Sequence, residues 1–373
     1  LHDKFYLADE PPISAFLGFN YVGNLIKNTL GDIPQAGTVA ANYYSFQRFL
    51  TDGTPCQLMV DIYPFTSNIP HPSITNNSVA DSAGIAHWDY NIYLSMLQSA
   101  VDNNFIPTLR SATGAAKQQS KPLIFIPQLH GSVYWQTHKY RDLNNGYTLR
   151  VPAPAEIRLS YNIGLGYGAK GFLPYPFGTE YWCTDYPTCS VPVAFDGLVS
   201  GRKYNGYYMD HWNNIDTIYG QRIWTGYKEK WDEVAALNSR LAQIGDTIIA
   251  LKWIGAKSWS NSQSQTEAWS GIVTSVTTKN TAGTADPTPY VEVGNLQRGV
   301  GGTDYIVVVN RRCANEDTRD ISITLNLPEG NWLMKDVYTG QVIGSFGENI
   351  FTDRFNPGEG KLYRIYKKIQ LTS

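Results

Sequence analysis

The sequence predicts an α/β protein: a (β/α) barrel of TIM type, lacking its first strands in this chain, followed by an antiparallel β-sandwich. Three observations predict it. Up to about residue 178, short apolar runs alternate with helical or irregular returns. Each run carries its polar residues at its C-terminal end. From about residue 252 the pattern changes to period two with regularly spaced turn signals, the signature of a sandwich.

The apolar runs are FYLADE (5–10), TVAANYY (38–44), QLMVDIYPF (57–65), PLIFIPQLH (122–130) and KGFLPYPF (170–177). Strands apolar on both faces and separated by helices imply a parallel sheet covered on both sides. The first must end at Asp9 and Glu10, because Pro11 and Pro12 cannot continue a central ladder. A helix over 88–101 places Tyr93, Met96, Leu97, Ala100 and Val101 on one stripe. Another over 154–167 opens with Pro154 and Glu156 in its first turn, where a fixed φ and a negative charge suit a helix start.

The strand ends form a polar lip: Asp9 and Glu10, then Asn42, Tyr43 and Tyr44, then Asp61 and Tyr63, then Gln128 and His130, then Tyr175. In a barrel this lip is the mouth where active sites are built. Closure takes eight strands, and five are legible. The start at a core strand, with Leu1 first and no signal peptide visible, makes a processed form or fragment the expectation. Its barrel would be completed by an N-terminal piece or another chain.

The barrel portion is assigned to residues 1–251. It includes aromatic loops over 178–225 and a helix at 227–250 with Trp231, Val234, Leu237, Leu241, Ile244 and Ile248 at helical spacing. Residues 252–373 form the sandwich, with expected strands at 270–278, 304–312, 320–327, 332–343 and 361–368.

Composition narrows the function. A net charge of −2 with no basic block argues against electrostatic binding of nucleic acid or anionic membrane. No run approaches the roughly 20 apolar residues of a membrane span. Aromatic residues make up 13% of the chain, including 25 Tyr and 10 Trp, against 17% charged. Rings that stack and tips that hydrogen-bond suit flat, hydroxylated ligands, although a large core and aromatic-rich β-structure account for most of them. Cys183 and Cys189 bracket the loop CTDYPTC, so a local disulfide is expected, and with it an extracellular or cell-surface location. Cys56 and Cys313 read as buried thiols, and Asn76-Asn77-Ser78 is a lone glycosylation sequon. No metal motif and no cofactor motif is present in the sequence.

The block RVPAPAEIRLSYNIGLGYGAKGFLPYPF (150–177) resembles a segment of secreted bacterial glycoside-hydrolase-like (β/α)8 barrels with a C-terminal β-sandwich. There a helix start carrying Arg, Pro and Glu leads through Gly-Ala-Lys-Gly into the last barrel strand. The order of the DEP lip, the Asn-ended strand, the Asp-x-Tyr-Pro strand and the Gln-x-His strand is similar too. DVYTG and PGEGKLYRI extend the likeness into the sandwich. The resemblance implies that FYLADE is the fourth barrel strand, so that strands four to eight are present. It also implies glycosidic bond cleavage, with Glu10 as general acid/base.

The family's usual second carboxylate, a seventh-strand glutamate, is replaced here by Gln128-Leu129-His130. Asp61 or Glu180 are the alternatives, or Asp9 working with Glu10 on a substrate's own 2-acetamido group. Asn42, Tyr44, Tyr63, Gln128, His130 and Tyr175 are expected to bind sugar hydroxyls, and Trp135 and Trp182 to stack on sugar rings. Glu156 and Arg158 read as structural ion-pair residues, and Lys170 and Gly171 as shaping the entry to the last strand. The expected function is a secreted glycoside hydrolase acting on a poly- or oligosaccharide. The alternative is a non-catalytic carbohydrate-binding or surface/filament assembly protein on a hydrolase-derived scaffold.

Overall fold

The computed structural model describes residues 5–31, 33–40, 46–74, 76–134, 148–176, 180–181, 193–195, 197–198, 203–204, 207–208, 215–218, 221–260, 271–299, 303–344 and 349–367. The five expected strands form one parallel sheet in chain order: β1 (Phe5–Asp9), β2 (Gln35–Ala40), β3 (Leu58–Ile62), β4 (Leu123–Pro127) and β5 (Gly171–Phe172). The expected closed barrel is not formed among the described residues. β1 pairs only with β2 and β5 only with β4, so the sheet has two edges.

Period-two alternation sorts the sheet's side chains. Val39, Leu58, Val60, Ile62, Leu123 and Phe125 face a helix layer that includes α1 (Phe16–Leu30), α3 (Tyr90–Ala100) and α4 (Ile106–Gln118). The shorter α2 (Asn77–Ala83) is capped by Asn76 of the sequon. On the opposite face Ala36, Met59 and Ile126 form a small apolar floor. The residues two further on in β2 and β3, Thr38 and Asp61, stand on that same face. A π-turn at Val101–Phe105 carries the helix expected to stop at 101 onward to Gln118. That wider turn immediately precedes the turn containing Pro107, whose missing N–H and bulky ring an unbroken α-helix accommodates poorly.

α1 leaves Leu17, Tyr21 and Leu25 exposed, spaced four apart beside the β1 edge. No helix among the described residues is long and apolar enough to cross a membrane.

Helix α5 (Pro154–Gly166) is the hub of the molecule. Glu156 accepts a bidentate pair from Arg150, 2.7 and 2.8 Å, with both side chains fully buried. Arg158 instead pairs with Glu233, at 2.8 Å from its Nε, and donates to the Pro357 carbonyl. Each is thus in an ion pair, Glu156 with the first residue of the motif and Arg158 with a residue outside it. Lys170 donates to the carbonyls of Ile248 and Leu251, tying β5 to the end of α6 (Tyr227–Ala250).

The sandwich has a six-stranded sheet and a three-stranded sheet. In chain order its strands are β6 (Leu251–Trp259), β7 (Val273–Asn280), β8 (Val291–Arg298), β9 (Thr303–Asn310), β10 (Arg319–Leu325), β11 (Trp332–Asp336), β12 (Val342–Gly344), β13 (Ile350–Phe355) and β14 (Gly360–Lys367). The larger sheet runs β6-β8-β9-β14-β11-β12 and the smaller β7-β10-β13. The stretch 332–343, expected as one strand, turns back on itself as the β11–β12 hairpin, while β6, β8 and β13 were not anticipated. β8 hides its alternation because it is buried on both faces, from Val291 through Leu296.

β8 lies directly on α5. A Cβ at Gly294 would stand 2.1 Å from the Gly166 carbonyl oxygen, and one at Gly358 1.9 Å from that of Ala155. Gly294→Ala should therefore force the two layers apart and cost about 1–3 kcal/mol, read as a lower denaturant midpoint with an unchanged slope. An unchanged midpoint would mean the contact is slack. Buried ions pin the same junction. Arg311 from the sandwich reaches Asp102 of the π-turn at 2.6 Å and Gln98 of α3 at 3.1 Å.

Cys183 and Cys189 lie outside the described residues. Cys313 is buried, with its Sγ 3.5 Å from the Ala155 carbonyl. Cys56 is only half-buried, a correction to the expected buried thiol: it precedes β3 at the margin of the Ala36, Met59 and Ile126 floor.

Candidate active site

The end of β1 departs from a regular strand. Glu10 adopts φ 44°, in the left-handed region, while its N–H still reaches the Thr38 carbonyl at 3.1 Å. In an ordinary strand adjacent side chains point to opposite faces. The left-handed turn lets Asp9 and Glu10 line the same cavity. Such strain in a non-glycine residue collects at functional sites.

That cavity, of about 730 Å³, sits over the inner face of the parallel sheet. One wall carries Asp9, Glu10 and Asp61. Ile126, Leu149 and Leu173 supply apolar surface, and Tyr6, Tyr63, Tyr175 and His130 supply rings. A groove of similar size, about 800 Å³, runs between α5, α6 and the sandwich, where the Arg158–Glu233 pair binds itself.

Asp61 is the most perturbed carboxyl. It is only 5% exposed, and its pKa is pushed up to about 8, first by burial and then by its hydrogen bond to Glu10 and the Glu10 charge. Its own backbone N–H and the Tyr63 hydroxyl partly offset these. Asp61 Oδ1 has no donor hydrogen-bonded to it among the described residues. Burial thus favours the neutral, protonated form of Asp61.

Asp9 is held differently. The Tyr6 hydroxyl donates to its Oδ1 at 2.6 Å and lies 2.7 Å from Thr38 Oγ1. Because the single phenolic proton goes to Asp9, Thr38 donates to Tyr6. Burial and Asp9 together raise the Tyr6 phenol well above its usual value. His130 is buried and its pKa falls to about 3, chiefly through burial, so its ring is neutral. It packs edge-on against Tyr63 and Tyr175, with centroids 4.7 and 5.7 Å away.

The structure brings Asp9, Glu10, Asp61, Tyr63, His130 and Tyr175 of the expected residues to one cavity. Gln128 is not on that wall. It is fully buried, and its amide bonds to the backbone of Phe65, His130 and Arg150, which corrects its expected role toward sugar hydroxyls. Asn42, Tyr44, Trp135 and Trp182 lie outside the described residues. Glu180 sits in the short strand Glu180–Tyr181, its side chain likewise outside them. Sequence reasoning missed Tyr6, Thr38, Ile126, Ser132, Leu149 and Leu173. Period two from Asp9 excludes Tyr6 from the same face of a regular strand, and the bulge between Tyr6 and Ala8 brings them together. Among the described residues no three His, Cys, Asp or Glu side chains gather as metal ligands.

No protein-family model and no curated protein sequence matches the chain. Solved structures do align with it. A GH27 β-L-arabinopyranosidase from Geobacillus stearothermophilus aligns over 95% of this chain and 62% of its own, at 7% identity and a TM-score of 0.39. A GH30 endoxylanase from Clostridium papyrosolvens aligns over 98% of this chain and 66% of its own, at 9% identity and a TM-score of 0.35. An Anoxybacillus α-amylase aligns over 95% and 63%, at 10% identity and a TM-score of 0.34. The chain thus spans less than two thirds of each of these structures. With TM-scores below 0.5, these likenesses assign neither fold nor activity by themselves.

Proposed function

We propose that the chain is a secreted glycoside hydrolase acting on a poly- or oligosaccharide, with Glu10 and Asp61 as its acid–base pair. The gathering of Asp9, Glu10 and Asp61 on one wall of a ring-lined cavity, with Glu10 turned into it by its left-handed backbone, carries the reading. Glycosidases need one carboxyl still protonated at working pH, and separating the proton affinities of two neighbours supplies it. Asp61 stores the proton, and Glu10, the exposed member, delivers it to the leaving oxygen. The pair regains a proton from the water whose oxygen adds to the sugar's anomeric carbon.

A second reading, a non-catalytic carbohydrate-binding or assembly protein on the same scaffold, is favoured by Gln128, which stands at the end of β4 as an amide already bonded to the backbone of Phe65 and Arg150.

Product release from a panel of polysaccharides and aryl glycosides separates the readings. Glu10→Gln should reduce release by about 100-fold or more. Release that persists in the variant would remove Glu10 from the mechanism. Sugar binding without release from wild type would establish the second reading.

A further inference from the structure

We infer that the cavity selects a saccharide bearing free ammonium groups, a hexosamine rather than a neutral or acidic sugar, with Asp9 as the side chain that reads the charge. This rests on the cavity being a sugar site, whether catalytic or not.

The charge of the wall is one-sided. Asp9, Glu10 and Asp61 line the cavity, and none of the described lining residues is a lysine or arginine. His130 adds no positive charge, since its buried ring is neutral. Even with Asp61 held neutral by burial, two further carboxyls face a lining that shows no cationic side chain among its described residues.

The acceptors there also await donors. Asp61 Oδ1, on a side chain that is 5% exposed, has no hydrogen-bond partner among the described residues. A buried acceptor left unpaired is costly, and a ligand rich in N–H and O–H donors relieves it. Asp9 is exposed and accepts from the neutral Tyr6 phenol through Oδ1, and none of the described residues lining the cavity with it is a lysine or arginine.

The rest of the cavity suits the same ligand. The rings of Tyr6 and Tyr63 attract an ammonium to their faces, and Leu149 and Leu173 take the C–H face of a pyranose. A uronate or sulfated sugar would bring like charge to the carboxyls. A neutral sugar would fill the space without offsetting them.

Calorimetry in mildly acidic, low-salt buffer would compare four tetrasaccharides: a glucosamine oligomer, its N-acetylated form, a cello-oligomer and an oligogalacturonate. The glucosamine oligomer should bind about tenfold more tightly than its N-acetylated form, as one charge-assisted contact provides. The advantage should shrink at high salt and vanish in Asp9→Asn. If that variant does not fold, the wild-type salt series decides.

Equal affinity for the amine and acetylated forms, or tighter binding of the uronate, overturns the inference. A preference retained in full by folded Asp9→Asn overturns the role of Asp9. Cleavage of a neutral glucan without amine preference would leave the hydrolase standing and this inference fallen. Amine-selective binding with no cleavage would do the reverse, and binding of none of the four would overturn the inference while the product-release panel still decides the hydrolase.

Discussion

Glu156→Ala is expected to destabilise the protein by about 3–5 kcal/mol, a large share of the stability of an ordinary domain. The reason is the guanidinium it would abandon. Arg150 is fully buried, with its Nε on the Ile69 carbonyl and Nη1 also on that of Val151, and its two terminal nitrogens grip Glu156. Glu156 in turn accepts from the Ala153 N–H at 2.8 Å, closing the first turn of α5, and from the Tyr93 hydroxyl at 3.1 Å. Removing the carboxylate leaves a charge in an apolar interior and uncaps the helix on which the sandwich rests. Urea unfolding reads the effect directly. The double replacement Arg150→Met with Glu156→Leu should cost less than the single one, because no charge is then stranded. A single variant with wild-type stability would show that water reaches Arg150.

Asp61→Asn should separate stability from activity. Below about pH 4 folded and unfolded chains both hold the Asp61 proton. Between there and its raised folded value of about 8, only the folded chain holds it fully. The contribution to stability is therefore complete at low pH and falls as pH rises, at up to about 1.4 kcal/mol per pH unit, until it is gone above that value. Asparagine keeps the shape and cannot ionise. Melting temperature against pH should be flatter in the variant, which should be the more stable protein above pH 8. Activity should meanwhile fall by about 100-fold or more with the stored proton gone. Parallel melting curves for the two proteins would show that Asp61 does not titrate in this window.

Much of this was legible in residue order. The five parallel strands announce themselves as apolar runs with polar ends, and Asp9, Glu10 and Asp61 were marked by their place at those ends. The hidden part has physical causes. Gln128 stands at a strand end like a lip residue, yet the chain passing through Phe65 and Arg150 buries it and occupies its amide. Tyr6 joins Asp9 through the bulge between Tyr6 and Ala8, and Glu10 joins them through its left-handed turn, neither of which periodicity foretells. The pairing of Arg150 with Glu156 rather than Arg158 depends on which way each side chain leaves the helix start. β8 was missed because a strand buried on both sides carries no alternating signal.

The seating of α5 on β8 bears on how such a protein could be assembled from parts. α6 ends at Ala250 and β6 begins at Leu251, with no linker between them. One apolar cluster runs from Leu58 and Phe125 through Leu159 and Ile163 to Leu296 and Val307. The sandwich is therefore not an appendage that recombination could exchange for another module. Its strands form one side of the core that the parallel sheet needs, so any replacement would have to bring glycines at the same heights on α5.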